Sequence, residues 1–416
     1  MWPFELLLTL YALKIIAYLI FMRKKKIEPG ADFYAEATSY TPSVDILLPM
    51  HNEEKVVIDT IRNLLEIEYK HLFIIVVDDG STDDSLDLVA KHFKNHPKVR
   101  LLRQVNGGKS AALNKGMEVS RSEIVVTIDA DTWVRPDAIK NIVHYFKDKE
   151  VAAVAGHIKV GNRVNPLTEM QYFEYITIWD NDRAFFDKVN GILVVPGALG
   201  AFRVSAVRAV GGFRSEVIAE DTELTLRLLY HGYVIRNATD AIAYTEAPDN
   251  LRMFFRQRVR WTTGLTQGLV KHGKRLFRMP NRWLARLVLP FTWLTRVILP
   301  FFLPLIDYYF IWLFFISRQY SSLAWWAAVI ATEVSVNFYL LRINKEKAGI
   351  LNLVILQRLY RHLLFCNYWV IFIRAIRGTL FNWSLITRKG NIKLEEETGT
   401  VPKPPIKEPK KAYDYE

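Results

Sequence analysis

The sequence predicts an α/β domain built on a mainly parallel sheet, flanked by N- and C-terminal transmembrane helices. Three observations support that prediction. From Ser43 onward, short apolar runs alternate with helical stretches, which is the rhythm of βαβ units. Two of these runs end in paired aspartates, Asp78-Asp79 and Asp129-Asp131, so both pairs project from one edge of the sheet. Half of the 416 residues are hydrophobic and the mean hydropathy is +0.06. This balance is too apolar for an ordinary soluble enzyme and too charged for an all-membrane protein, and the apolar excess lies at the two ends.

Trp2 to Met22 is a span-length apolar run followed at once by Arg23, Lys24, Lys25 and Lys26, which by charge places the following segment in the cytoplasm. A cleaved signal peptide is disfavoured because "MWPFE" has no basic start and no small-x-small site follows the run. Residues 1–22 therefore read as an anchor, 23–43 as a basic juxtamembrane linker and 44–270 as the α/β domain. Within that domain "VDILLPMHNEE", "FIIVVDDGSTDDS", "VRLLRQVNGGKSAALNKG", "EIVVTIDADTWVRPDAI" and "VAAVAGHIKV" each read as strand then loop, and most lead into a helix. Residues 271–286 read as interfacial and 287–378 as a second membrane region. There Leu287 to Ile316, Leu323 to Leu341 and Gly349 to Ile376 are each long enough to span. The last contains "QRLYRH", two arginines at lipid depth, and is expected to be broken, re-entrant or interfacial. Residues 379–416 read as a cytoplasmic tail, Lys/Pro/Glu-rich and without apolar periodicity from Lys389.

The net charge of +12 clusters beside apolar segments and in the tail, which suits anionic lipid and argues against a nucleic-acid partner. A single cysteine, Cys366, excludes an internal disulfide or a cysteine zinc site. His51, His157 and His231 lack ligand spacing and are expected to be hydrogen-bonded or solvated. Lys14, Arg296, Glu333, Asn337, Arg358 and Arg361 interrupt apolar runs and should face protein or a wet path. Glu333 and Asn337 share a helical face, either lining a path for hydroxyls or packing helices together.

In "EIVVTIDADT" a β-branched strand ends in two carboxylates one residue apart, which repel unless a cation or donor network holds them. In "DDGSTD" the plainer alternative is an Asp-Gly turn with helix capping by Ser81 or Asp83. "NGGKSAALNKG" offers a helix N-terminus, where backbone N–H groups favour anions, with Lys109 beside it; a surface lysine is the alternative. In "IAEDTELTLRL" Glu220 and Asp221 precede a helix from Thr222 to Tyr230, and Asp221 can equally cap it. In "RQRVRW" Gln257 and Arg260 share a helical face, and Trp261 offers a flat surface for a pyranose ring. An amphipathic helix on the membrane surface explains the same stretch.

These ordered motifs, over roughly residues 44 to 270, resemble family 2 inverting, processive glycosyltransferases, in particular poly-β-1,6-N-acetylglucosamine, chitooligosaccharide and hyaluronan synthases. The resemblance implies a GT-A, Rossmann-like cytoplasmic domain in a multi-pass plasma-membrane protein. It also implies a nucleotide-sugar pocket at Pro49, Met50, Glu53, Asp78, Asp79, Lys109 and Asp129, with Asp79 on uracil and Asp129 towards the ribose. By the same resemblance Asp131 binds Mg2+ or Mn2+, Asp221 is the base with Glu220 beside it, and Gln257, Arg260 and Trp261 serve diphosphate and acceptor. Ala219 stands where the family has threonine. "VPGALGAFR", Val195 to Arg203, resembles the acceptor-side loop, and Trp383 and Arg388 resemble a gating segment closing over the nucleotide. The expected activity is polymerisation of a UDP-sugar, UDP-N-acetylglucosamine foremost, onto a growing polysaccharide, with an accessory membrane subunit as an open question. A single-sugar transferase to a lipid carrier and an inactive transport or scaffold subunit are the rivals.

Overall fold

The computed structural model describes residues 40–279, 281–302, 304–346 and 352–377. The N-terminal anchor, residues 23–39 of the linker, Trp383 and Arg388 lie outside the described residues. The α/β part comprises β1 (Val44–Met50), α1 (Val57–Leu65), β2 (Leu72–Asp79), α2 (Ser85–Phe93), β3 (Val99–Gln104), α3 (Lys109–Val119), β4 (Ile124–Thr127), β5 (Thr132–Val134), α4 (Ala138–Val143) and β6 (Val151–Val160). It continues through α5 (Pro166–Glu174), a π-helical turn (Tyr175–Asp180), α6 (Asn181–Asp187), β7 (Gly200–Arg203), α7 (Val204–Ala209), α8 (Glu220–Tyr230), β8 (Val234–Thr245) and α9 (Leu251–Phe277).

The eight strands form one sheet in the order β3-β2-β1-β4-β7-β6-β8-β5. The half around β1 is parallel, whereas β7 runs antiparallel to both β4 and β6, and β5 antiparallel to β8. The sheet is thus mainly parallel, as expected, with β6 and β8 parallel to each other, but mixed, because β7 and β5 run against the other six strands. The difference arises in "GAFR" and "TWV", runs too short to carry a periodicity that would announce strands. Alternate residues of β1 feed two cores. Val44, Ile46 and Leu48 pack with α1 and α4 on one face, and Leu47 packs with α3 and α8 on the other. Truncating a side chain such as Leu47, fully buried, should cost about 2–5 kcal/mol.

The chain leaves β1 for β2 and β3 on one side and returns to β4 on the other, so the carboxyl ends of β1 and β4 flank a topological switch point. This crevice is where such sheets bind ligands.

Beyond the sheet, α9 runs unbroken to Phe277, so 271–277 continues the domain's last helix instead of forming a separate interfacial segment. Helical turns from Leu284 to Phe301 (α10) follow, then α11 (Leu305–Phe315), α12 (Ser322–Ile343) and α13 (Gln357–Ile376), the last preceded by a π turn at Asn352–Leu356. Two of these, Leu284–Phe301 and Ser322–Ile343, are long and apolar enough to cross a membrane. The run expected from Leu287 to Ile316 is interrupted between Phe301 and Leu305, beside Pro300 and Pro304, which lack the N–H that helix continuation needs. By contrast, α13 is continuous through Arg358 and Arg361. Their charges are met by Asp307 of α11 and Glu333 of α12: Arg358 pairs with both, at 2.7 Å from Glu333, and Arg361 lies 2.7 Å from Glu333 and 2.6 Å from Asp307. Neutralised in this way, the arginines do not break the helix.

Polar ties join the two parts. Lys159 of β6 lies 2.8 Å from Glu346, Tyr360 donates to Glu174 at 2.6 Å, Arg258 lies 2.6 Å from the same Glu174 oxygen, and Arg296 pairs with Asp182. Leu341 and Leu353 complete the first core.

Candidate active site

A cavity of about 980 Å3 opens over the switch point and extends between the C-terminal helices. Its wall includes Pro49, Met50, Glu53, Asp79, Lys109, Asp129, Asp131, Glu220, Asp221, Gln257, Arg260 and Trp261. The structure therefore gathers motifs from six separate stretches of sequence.

Asp78 does not join them. Adjacent residues of a strand point to opposite faces, so only one of Asp78 and Asp79 can look into the crevice. Asp78 is fully buried, accepts the Ser81 backbone N–H at 3.1 Å and lies 3.8 Å from Arg103. Asp79 faces the loop before α3. Its Oδ1 accepts Gln104 Nε2 at 2.7 Å and Gly107 N–H at 2.8 Å, and its Oδ2 accepts Gly108 N–H at 2.8 Å. Thus the anion at this helix start is Asp79 itself, which fixes the loop that presents Lys109. In "DDGSTD" Asp83 accepts the Ser85 N–H at 3.0 Å just ahead of α2, whose N-cap is Asp84 and makes no side-chain cap bond.

Lys109 is the hub. Its Nζ donates to Asp129 Oδ1 at 2.6 Å and lies 2.9 Å from Glu220 Oε1, so α3 is tied both to the strand-end turn and to the first turn of α8. Burial opposes its charge, but Asp129 and Glu220 outweigh burial and hold the ammonium above the ordinary lysine range. The loop before β7 closes over it. A Cβ on Gly197 would stand 2.7 Å from Lys109 Nζ, so a side chain here would push the lysine tip aside.

Asp221 begins α8 with acidic neighbours Glu220 and Glu223, as the positive end of a helix favours. It caps as well as faces the cavity: Oδ1 accepts the Thr222 N–H at 2.6 Å, and Oδ2 accepts the Gly197 N–H at 3.3 Å. Removal from bulk water and the adjacent Glu220 carboxylate push its pKa up to about 6, against the opposing pull of Lys109.

The helix α9 reaches this point because Gly264 abuts Ala219; a Cβ there would lie 2.4 Å from the Ala219 Cβ. Gln257, Arg260 and Trp261 follow on adjoining turns. The sequence reading missed Arg258, which is buried beneath Trp261 with its guanidinium 4.4 Å from the ring centre. It also missed Tyr175, Trp179 and Arg183, supplied by the π turn and α6. Only an unremarkable aromatic spacing in "YITIWD" hinted at them. Glu333 and Asn337 line the cavity and pack helices at once, since Asn337 donates to Gln357 Oε1. Two of the three histidines are hydrogen-bonded as expected, His51 Nδ1 at 3.0 Å from the Asp79 carbonyl and His231 Nδ1 at 2.8 Å from the Arg227 carbonyl, while His157 is buried with Nδ1 2.9 Å from an Asp180 oxygen.

Among the described residues no group of three or more His, Cys, Asp or Glu side chains stands ready as a metal centre. Asp131, 4% exposed on the cavity wall beside Asp129, supplies hard carboxylate oxygen. That donor set fits a cation such as Mg2+ or Mn2+ that takes one or two carboxylates and completes its shell with phosphate oxygens and water.

Several known proteins resemble this chain in sequence or in fold. A poly-β-1,6-N-acetyl-D-glucosamine synthase of Staphylococcus epidermidis is 30% identical over 222 residues, 53% of this chain and 54% of that protein. One from Staphylococcus aureus is 31% identical over the same share. The chain thus spans about half the length of the curated relatives it matches. A mannosyltransferase from Pyrobaculum calidifontis, solved with GDP-Man and Mn2+, superposes with a TM-score of 0.65 at 21% identity, covering 90% of this chain and 96% of that one. This shows that the two share a fold, a GT-A, Rossmann-like mixed sheet. Residues 45–211 match the family described as Glycosyl transferase family 2, and the chain carries a glycosyl transferase family 2 domain.

Proposed function

We propose that this chain is a membrane-embedded, inverting and processive glycosyltransferase. It takes a UDP-sugar, UDP-N-acetylglucosamine foremost, extends a β-linked polysaccharide at its non-reducing end on the cytoplasmic face of the plasma membrane, and passes the polymer outward. The observation behind this reading is the Lys109 bridge, which sets the strand-end aspartates beside Glu220 and Asp221 in one cavity with Gln257, Arg260 and Trp261. Relatives named as poly-N-acetylglucosamine synthases support the choice of sugar.

In this reading the nucleotide lies against Pro49, Met50, Glu53 and Asp129, with its base at Asp79. That carboxylate already accepts three hydrogen bonds and retains room on Oδ2 for one more. Lys109, Gln257 and Arg260 meet the diphosphate. Asp221, its pKa lifted towards neutrality, removes the proton from the acceptor hydroxyl as that oxygen attacks the anomeric carbon. The bond to the diphosphate breaks on the opposite face, UDP departs with the electron pair, and the anomeric centre inverts. Trp261 holds the acceptor ring by stacking, and Trp383 and Arg388, by family resemblance, close over the nucleotide. A Mg2+ or Mn2+ ion at Asp131 supplies neutralisation of the charge that develops on the diphosphate. Purified protein should release UDP from one member of a UDP-sugar panel and build a polymer that a matching glycosidase digests; no UDP release from any member would refute the reading.

A second reading, transfer of one sugar to a lipid carrier, draws on the apolar lining of the membrane-side cavity at Ile330, Val334, Leu340, Leu353 and Leu364. Product length separates the two, since a discrete glycolipid would replace the polymer.

A further inference from the structure

From Asn250 to Ile306 the chain carries no aspartate or glutamate, while Lys271, Lys274, Arg275, Arg278, Arg282 and Arg286 fall close together in the middle of that stretch. These cations surround the corner where α9 ends and α10 begins. The corner is fixed from below. Leu276, Leu284 and Val288 are fully buried in the second core, Asn281 Oδ1 accepts the Leu284 N–H at 3.1 Å, and Asn281 Nδ2 donates to the Val189 carbonyl at 3.0 Å. One asparagine thus caps the helix start and ties it to the α/β part. Over this floor lies a cleft of about 530 Å3 lined by Phe277, Met279, Arg282, Ala285, Arg286 and Pro290. Arg282 and Arg286, one helical turn apart, enter it from the start of α10, and Phe277 and Met279 enter it from the end of α9.

Charge pairing sets this corner apart from the rest of the C-terminal helices. Arg258, Arg296, Arg358 and Arg361 each have a carboxylate partner, and Lys271 pairs with Glu216. Among the described residues Arg278, Arg282 and Arg286 form no side-chain hydrogen bond or ion pair, and all three are exposed. Water alone can satisfy an exposed guanidinium, so a second observation is needed to point to a ligand. It is apolar: Phe277 is 49% and Trp283 62% exposed among the same arginines. Leu284–Phe301, which begins here, is also long and apolar enough to cross a membrane. Two forks that can grip a phosphate, an exposed tryptophan and the start of a span-length apolar helix therefore coincide at one cleft. A nucleic acid or an acidic protein segment would use the cations and leave Phe277 and Trp283 unmatched. A phospholipid uses both, its phosphate on the guanidiniums and its acyl chains along the apolar side chains.

We infer that the cleft between the end of α9 and the start of α10 holds the headgroup of an anionic phospholipid, its phosphate gripped by Arg282 and Arg286 and its acyl chains following α10. The inference rests on the membrane-embedded reading above and goes beyond it by assigning a lipid site outside the cavity already described. Net charge selects the lipid: phosphatidylcholine carries the same phosphate with a compensating cation, which an acid-free surface repels. The test places the full chain in nanodiscs of phosphatidylcholine with a minor share of phosphatidylglycerol, releases it into detergent and reads the retained lipid by native mass spectrometry. Wild-type protein should retain phosphatidylglycerol in preference to phosphatidylcholine, a readout that depends on no variant's folding. R282Q/R286Q should weaken that retention by about fivefold for each cation removed. K274Q/R275Q, the same charge change elsewhere on α9, should keep most of it, and melting curves check that both variants fold. Equal loss in the two double variants would reduce the site to general surface charge and overturn it. Equal retention of the two lipids by wild-type protein would overturn it too, and would leave the membrane-embedded reading intact. Protein that enters neither this nanodisc nor one of phosphatidylcholine alone would overturn that reading as well.

Discussion

Lys109 Nζ lies 2.9 Å from Glu220 Oε1, so one ammonium group links the helix that follows β3 to the residue beside the proposed base. This contact makes the electrostatics of Asp221 testable. Burial and Glu220 raise its pKa to about 6, and Lys109 lowers it. A base must be unprotonated, so UDP release should fall as pH drops through about 6. Glu220→Gln should move this acid limb down and Lys109→Met should move it up, both read from pH–rate profiles. A limb that stays fixed in both variants would contradict the role of Asp221.

Asp221→Asn should lower turnover by about 10^2 to 10^4, the usual share of a general base, and leave UDP binding nearly intact because the carboxyl faces the acceptor. Asp79→Ala should weaken UDP binding instead and also lower stability, since it releases the Gly107 and Gly108 N–H groups. Equal loss of UDP affinity in both proteins, by calorimetry, would refute the division of roles.

Asp131→Asn should abolish transfer while the protein still folds, as judged by its melting curve, and EDTA should reproduce the loss in wild-type protein. Full activity in either condition would remove the metal from the mechanism.

In the C-terminal helices, Glu333→Gln removes one of the acids that pair with Arg358 and Arg361. Breaking such a buried pair costs about 3–5 kcal/mol, so the variant should unfold at lower temperature in detergent. Replacing Arg361 as well, in Glu333→Gln/Arg361→Gln, should recover part of that loss, and a purely additive double variant would contradict the coupling.

The strands at the heart of the sheet were legible because burial on both faces demands continuous apolar runs, as in "ILL" and "IIVV". The acid motifs were legible because their chemistry is local to a strand end or a helix start. Asp78 was misplaced where strand alternation alone would have excluded it. Arg258 and Trp179 could not be read, since their positions depend on how α9 packs against a π turn distant in sequence. The pairing of Arg358 and Arg361 with Asp307 and Glu333 was hidden for the same reason, and "QRLYRH" therefore looked like a break.

The ties between the sheet and the C-terminal helices bear on how this architecture can be recombined. Glu174 is shared by Arg258 of α9 and Tyr360 of α13, while Lys159 and Asp182 reach to Glu346 and Arg296. An α/β part excised after Phe277 would strand these groups at a raw surface, and a graft onto the C-terminal helices of another protein would set them against strangers. Chimaeras should therefore succeed only when both halves of each tie are exchanged together, so that the two parts are inherited as one unit.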